Sequence, residues 1–336
     1  MSNPVPIPQE LLDFINKGDK FLVVGHKEPD GDCVGSQLAL TSVLRRLGKE
    51  AIPCSAGPFK RTEIMPYQDR FISALSEKER EGARVLVMDC SAPHRTGDLA
   101  PALDGLPCAI IDHHATGQYA DDRVEGPLFL DPNAPSVTFM TLGLIEALGL
   151  KPTPEEAEFL FFGLCTDTGF FRHVDAGGAE TFAYASRMIR AGANPKEVFQ
   201  AINGGKSLSS RILMGILLSR TQGYFGGKLM LTTEGYEDTQ RFGLEGRDSD
   251  SLYQLLQSIA GVEAIVIIRQ ETPQNCTAGL RSRDTVDVAK IAAEFGGGGH
   301  RNAAGLSVTG TIEAIRPRIL KAFEKVFPEE PLSNVP

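Results

Sequence analysis

Through the first half of the chain, short apolar runs alternate with helical stripes, and each run ends in a polar or glycine-bearing turn. Residues 21–25 (FLVVG) are β-branched and aromatic, which predicts a buried strand. The next seven, His26-Lys27-Glu28-Pro29-Asp30-Gly31-Asp32, read as a turn through their Pro and Gly. From Gly35 the spacing predicts a helix with Leu38, Thr41 or Ser42, and residues 44–47 on its inner stripe. Further strands are predicted over 51–54, 85–89, 108–112 and 128–130. Such alternation predicts an α/β fold with a largely parallel sheet flanked by helices. Ligands settle where strands end and helices begin in sheets of this kind.

Ser136 is a good N-cap for a helix reaching about residue 148. Thr153, Pro154, Glu155 and Glu156 then supply a cap, a first-turn proline and first-turn acids for a helix through 162, which delivers the segment GLCTDTG. Helices over 179–191, 195–202 and 209–220 lead away from the first sheet. From Tyr224 the pattern changes to a hairpin at Gly226-Gly227, a helix over 251–259, and strands over 264–269 and 276–280. A helix over 286–295, a glycine-rich loop and a closing helix over 311–326 complete a second, smaller α/β domain. The expected organisation is a first domain over 1–190, a helical connection over 191–222, and a second domain over 223–336 facing the first across a cleft.

With 336 residues and 42% hydrophobic content, the chain can bury about three quarters of its unfolded surface in two domains. No stretch approaches the roughly 18 uncharged apolar residues of a membrane span, and residues 1–10 lack an export signal, so the expected location is cytoplasmic, with no membrane partner. The six cysteines are scattered without zinc-knuckle or disulfide-scaffold spacing. Cys33, Cys90 and Cys165 lie close to carboxylates, yet small buried apolar roles suit them better than ligation. A net charge of −9 argues against a surface that tracks long duplex DNA or long single strands, and there is no Trp to stack on bases.

Chemistry gathers at the ends of these elements: His26, Asp30 and Asp32; Asp89; Asp112, His113 and His114; Asp167. Mixed imidazole and carboxylate donors suit Mn²⁺ first, and also Mg²⁺, Fe²⁺ or Co²⁺. Asp30 and Asp32, two apart in a turn, could face two different ions with Asp89 bridging them. Without cations, several carboxylates in one crevice would repel one another and be poorly solvated. Two ions about 3.5 to 4 Å apart suit hydrolysis at a phosphoryl group. The blander alternative is that each acid caps a helix or turn. It serves for Asp30 or Asp167 alone and poorly for all four stretches.

The stretches GHKEPDGDCVGS, VLVMDCS, IIDHH and GLCTDTGFF resemble the four motifs of the DHH phosphoesterase superfamily. Gly279-Leu280-Arg281-Ser282 and residues 296–305 (GGGGHRNAAG) resemble its DHH-associated C-terminal domain. Order and spacing are most similar to the branch of bifunctional oligoribonucleases and 3'-phosphoadenosine 5'-phosphate (pAp) phosphatases. The resemblance implies that His26, Asp30 and Asp89 hold one divalent cation, and that Asp32, Asp89, His113 and Asp167 hold the other. It further implies that Asp112 orients the site and that His114 meets the scissile phosphate or assists the leaving group. In the second domain, Gly297, Gly298 and Gly299 would turn backbone N–H groups toward an anion, and Arg281 and His300 would add charge-assisted donors. Phe170 stands where members often carry Arg, and Arg172 is the residue left to compensate.

The expected substrates are short RNA oligonucleotides, dinucleotides or pAp, and a homodimer is left open. Rival readings are a linear or cyclic dinucleotide phosphodiesterase, a RecJ-like single-strand exonuclease, a pyrophosphatase and a non-catalytic nucleotide sensor. Lys206, in Gly204-Gly205-Lys206-Ser207, lacks the spacing of an ATP-binding loop.

Overall fold

Five strands, β1 (Lys20–Gly25), β2 (Glu50–Cys54), β3 (Arg84–Met88), β4 (Cys108–Asp112) and β5 (Leu128–Leu130), form one sheet in the order β2-β1-β3-β4-β5. All of its pairings are parallel. This computed structural model describes residues 6–114, 126–244, 246–283, 285–330 and 332. The chain leaves β1 toward β2 on one side and returns as β3 on the other. Such a reversal opens a crevice at the carboxyl ends of β1 and β3.

Beyond its first residue, β1 is buried on both faces, as a parallel strand between helical layers must be. Its alternate residues feed two cores. Phe21 and Val23 pack with Leu86, Met88 and Ile111 against the helices Gly31–Arg46, Val137–Ala147 and Pro154–Asp167. Leu22 and Val24 pack with Val85, Val87 and Ile110 on the opposite face. Two helix boundaries beside the acidic segments differ from expectation. The helix expected from Gly35 begins at Gly31, because Asp30 caps it there. The helix from Pro154 continues past 162 to Asp167, so Asp167 is its last residue instead of part of a loop.

The chain divides into two units, Met1–Gly205 and Lys206–Pro336. The helix Pro195–Asn203, grouped with the connection on sequence, lies in the first. The second holds β6 (Gln222–Tyr224), β7 (Leu229–Glu234), β8 (Ala264–Thr272), β9 (Asn275–Ser282), β10 (Gly298–His300) and β11 (Ala303–Thr309), in the order β10-β11-β9-β8-β7-β6. Among the described residues of this sheet, only β7 and β8 pair in parallel. Helices Val288–Ala293 and Ile312–Glu324 cover one face of this sheet, and Leu208–Ser219 and Ser249–Gln257 the other. Part of the expected glycine-rich loop is a strand, since residues 298–300 pair with 303–305. Among the described residues, no helix is long and apolar enough to cross a membrane.

Candidate metal centre

Every acid and imidazole singled out in the first domain lies at the carboxyl edge of the parallel sheet or at a helix end facing it. β1 runs directly into His26. Asp30 follows as the cap of the helix Gly31–Arg46, its Oδ1 accepting from the N–H groups of Asp32 and Cys33, both at 3.1 Å. Gly25 has to be glycine here. A Cβ would stand 2.1 Å from the Cys33 sulfur, so only bare backbone lets the helix start so close to the strand end.

Asp32, in the first turn, is fully buried and well occupied. Its Oδ1 accepts from Thr138 N at 2.9 Å and Thr138 Oγ1 at 2.7 Å, and its Oδ2 from Val137 N at 2.5 Å. It therefore holds the start of the helix Val137–Ala147, beside the cap made by Ser136. Helix caps and clustered acids are not exclusive alternatives, because Asp30 and Asp32 are both at once. Each carboxylate oxygen carries two acceptor sites, so Oδ2 of Asp32 retains one beyond Val137.

Asp89 follows β3 with φ 59°, a left-handed conformation uncommon outside glycine. Its N–H donates to Ile111 O at 2.9 Å, which pins the strained residue between two strand ends. Oδ2 lies 3.5 Å from His26 Nε2, and Oδ1 lies 3.7 Å from both His113 Nε2 and His114 Nδ1. Buried Oδ1 has no hydrogen-bond partner among the described residues. At the end of β4, Asp112 is wholly buried and takes His114 Nδ1 on Oδ1 at 2.7 Å. His113 Nε2 lies 3.3 Å from Asp167 Oδ2.

The orientation of His26 and His113 is the most informative feature. A backbone carbonyl can only accept, so contacts of 2.9 Å from His26 Nδ1 to Lys27 O and 3.0 Å from His113 Nδ1 to Ala134 O place a proton on each Nδ1. In the neutral ring, Nε2 then presents a lone pair. Both lone pairs point at carboxylates: Asp30 and Asp89 for His26, and Asp89 and Asp167 for His113. Lone pair against carboxylate is repulsive unless a cation stands between them or the ring is itself charged. Metal-binding histidines commonly have their other N–H tied back in this way. His26 and Asp89, Asp89 with His113 and His114, and Asp32 with His113 and Asp167 each bring donor atoms within 4.8 Å of one another. The donor set fits hard to borderline divalent cations.

Without such a cation the charges are in tension. Burial, together with Asp32 and Asp30, holds the Asp89 carboxyl well above its ordinary range, with His26 pulling the other way. Burial and then Asp32 push Asp167 up to about 7, and burial raises Asp32. Burial opposes charge on Asp30 too, but the charged form of the His26 ring, the alternative to an intervening cation, prevails and lowers it to about 2. Asp112 raises His114 above an ordinary histidine.

Cys33 also lies within reach of His26 and Asp89. Its thiol nevertheless donates to Gln37 Oε1 at 3.4 Å. Gln37 is fixed in that sense because its Nε2 donates to Val23 O and Cys54 O. Burial pushes the thiol up to about 11, which agrees with a packing role rather than ligation.

Arg172 is exposed and folds back, its Nε donating to Gly169 O at 2.8 Å. Gly169, Phe170 and Phe171 all have positive φ, and the Phe170 ring packs edge-on to Phe161 and Phe199. A cavity of about 440 Å³ opens beside Asp167, lined also by Asp131, Asn133, His173 and Asp175. Sequence analysis nominated none of these four for the site.

In the second unit, Arg281, Gly298 and Gly299 line an open cavity of about 410 Å³. Gly297, expected with them, is not among the lining residues. Its N–H already donates to Ala292 O at 2.9 Å, and a Cβ there would stand 2.3 Å from Gly305 O, so the glycine serves close packing. His300 is exposed at the end of edge strand β10, outside the cavity lining.

Comparison with known proteins agrees with this anatomy. The family model described as "DHH family, N-terminal domain" matches residues 20–164, and that of the DHHA1 domain matches 226–329. Over 309 residues the chain is 30% identical to the bifunctional oligoribonuclease and PAP phosphatase NrnA of Thermus thermophilus, covering 89% of this chain and 90% of that protein. Its identity to the Bacillus subtilis protein of the same name is 28%, over 95% of this chain and 98% of that one. A crystal structure of an exopolyphosphatase-related protein from Bacteroides fragilis superimposes with a TM-score of 0.79 at 25% identity, covering 96% of this chain and 95% of the other. Two matched domains in the expected order, joined to relatives along nearly their full length, place the chain in the DHH family.

Proposed function

We propose that the chain is a divalent-metal-dependent phosphoesterase that hydrolyses short oligoribonucleotides to nucleoside monophosphates and pAp to AMP. His26, Asp30 and Asp89 hold one cation; Asp32, Asp89, His113 and Asp167 hold the other; Mn²⁺ is the ion the donor set suits best. Divalent cations in this position supply positive charge to a phosphoryl group and make the water beside it more acidic. Asp112 fixes the Nδ1 proton of His114, which leaves His114 Nε2 to meet the scissile phosphate or the leaving oxygen. Arg281, with the backbone of Gly298 and Gly299, receives a terminal phosphate in the second unit.

One observation carries this reading: two histidines whose Nδ1 protons are tied to carbonyls aim Nε2 at three carboxylates, among them an Asp89 oxygen with no hydrogen-bond partner among the described residues. Relatives named for oligoribonuclease and PAP phosphatase activity supply the substrate class. The test is a panel of pAp, dinucleotides, pentanucleotides, long single-stranded DNA and pyrophosphate, each with Mn²⁺. Turnover of the first three above the last two is expected. Turnover confined to pyrophosphate or to long strands, or no turnover at all, contradicts the proposal.

A further inference from the structure

We infer that Arg269 and Tyr253 are further nucleotide-contacting, specificity-determining residues of the cavity in the second unit. This rests on the phosphoesterase reading above. Gly279, Gly298, Gly299 and Gly305 give that cavity a floor of bare backbone, and no acidic residue among the described residues lines it. A site without acids that is walled by two arginines suits an anion.

Arg269 enters from β8 in a fixed attitude. Its Nε donates to Glu234 Oε2 at 3.0 Å and its Nη2 to Ser249 Oγ at 2.8 Å. Glu234 is itself fully buried and also takes Arg247 at 2.7 Å, so the carboxylate cannot swing away with its arginine. This leaves Arg269 Nη1 toward Gly279, 3.9 Å from where a Cβ would stand. Arg281 approaches from β9. Its Nη1 donates to Leu280 O at 3.0 Å, and it makes no ion pair among the described residues. Its guanidinium lies over the Tyr253 ring, 4.7 Å from the centroid.

Tyr253 joins the two arginines. The residue is only 6% exposed; its buried hydroxyl lies beside the Arg269 guanidinium, and its proton has no acceptor among the described residues. A Cβ on Gly279 would stand 2.2 Å from that hydroxyl, so glycine at 279 is what makes room for it. A buried hydroxyl whose proton lacks an acceptor is rare, and one placed beside two cationic donors marks where a ligand oxygen belongs. The occupant with matching chemistry is the phosphate of a nucleoside monophosphate. It would take charge-assisted hydrogen bonds from Arg269 Nη1 and Arg281 and one from the phenol.

The test uses the full chain freed of metal with a chelator, titrated calorimetrically with AMP, adenosine and inorganic phosphate. The wild type is expected to bind AMP at least about tenfold more tightly than adenosine, and more tightly than free phosphate. Tyr253→Phe, which keeps the ring under Arg281, is expected to weaken AMP about fivefold. Arg269→Lys keeps the charge but loses the fork, and is expected to weaken AMP about tenfold and to narrow the AMP-to-adenosine ratio. In Mn²⁺-supported turnover both variants raise KM and leave kcat within about twofold, which loss of fold alone would not do. Wild-type affinity for AMP in both variants, equal binding of AMP and adenosine, or binding of free phosphate as tight as AMP would each overturn the inference. Failure of the phosphoesterase reading has a different signature, since it leaves the wild type without turnover whatever the affinities are.

Discussion

At His26 and His113 a backbone carbonyl takes the Nδ1 proton, so Nε2 is what meets Asp30, Asp89 and Asp167. Replacing the shared acid, Asp89→Asn, is expected to lower kcat by about 10² to 10³ while the metal-free protein keeps or gains thermal stability. A buried carboxylate with a raised pKa is a liability in the apo state, and the amide removes it. A steady-state assay and a melting curve check the two halves. Asp112→Asn leaves the ligands in place but frees the His114 ring, and should cost about 10-fold to 100-fold in kcat with KM little changed. The pH dependence has a definite sign. Asp167 is raised to about 7 when folded, so between its ordinary range near 4 and that value the folded state binds more protons than the unfolded state. Metal-free protein should therefore lose stability as pH rises across that window, and Asp167→Asn should flatten the slope. Residue types were enough to nominate these groups. They could not reveal that Gly297 spends its N–H on Ala292, which depends on backbone geometry, or that Cys33 is held as a thiol by Gln37, which depends on the Val23 and Cys54 carbonyls that orient the amide.

Elements were legible where one local force dominates. Strands β4 and β5 were readable to the residue, since each is a short apolar run closed by a polar or proline-bearing turn. The caps Ser136 and Thr153 announced their helices through side chains that satisfy first-turn N–H groups. Reading failed where glycine carries two meanings. Gly31 suggested a turn but is the first residue of a capped helix, and residues 298–300 suggested a loop but pair as an edge strand that has no apolar alternation to show. At this scale Gly163 is the sharpest test. A Cβ there would stand 2.4 Å from Thr138 Cγ2 and 3.0 Å from the Asp32 Cα, so helix Pro154–Asp167 must pass bare over the turn that carries Asp32. Gly163→Ala is expected to destabilise the chain by about 1 to 3 kcal/mol in denaturant unfolding and to weaken metal binding through Asp32. An unchanged midpoint and unchanged metal affinity would remove this helix from the support of the site.

For the whole molecule, the essential step was invisible in any single stretch. His26, Asp89 and His113 are far apart in sequence, and they meet because β1, β3 and β4 are adjacent in the order β2-β1-β3-β4-β5. Strand order follows from packing both faces of the sheet beneath helices, and no local pattern encodes it. The central claim is that this edge gathers a pair of divalent ions. Calorimetric titration of metal-free protein with Mn²⁺ tests it most directly. The account predicts saturable uptake of two ions per chain, with loss of the shared site in Asp89→Ala. Absence of saturable uptake, or full two-ion binding by the Asp89→Ala variant, would contradict it.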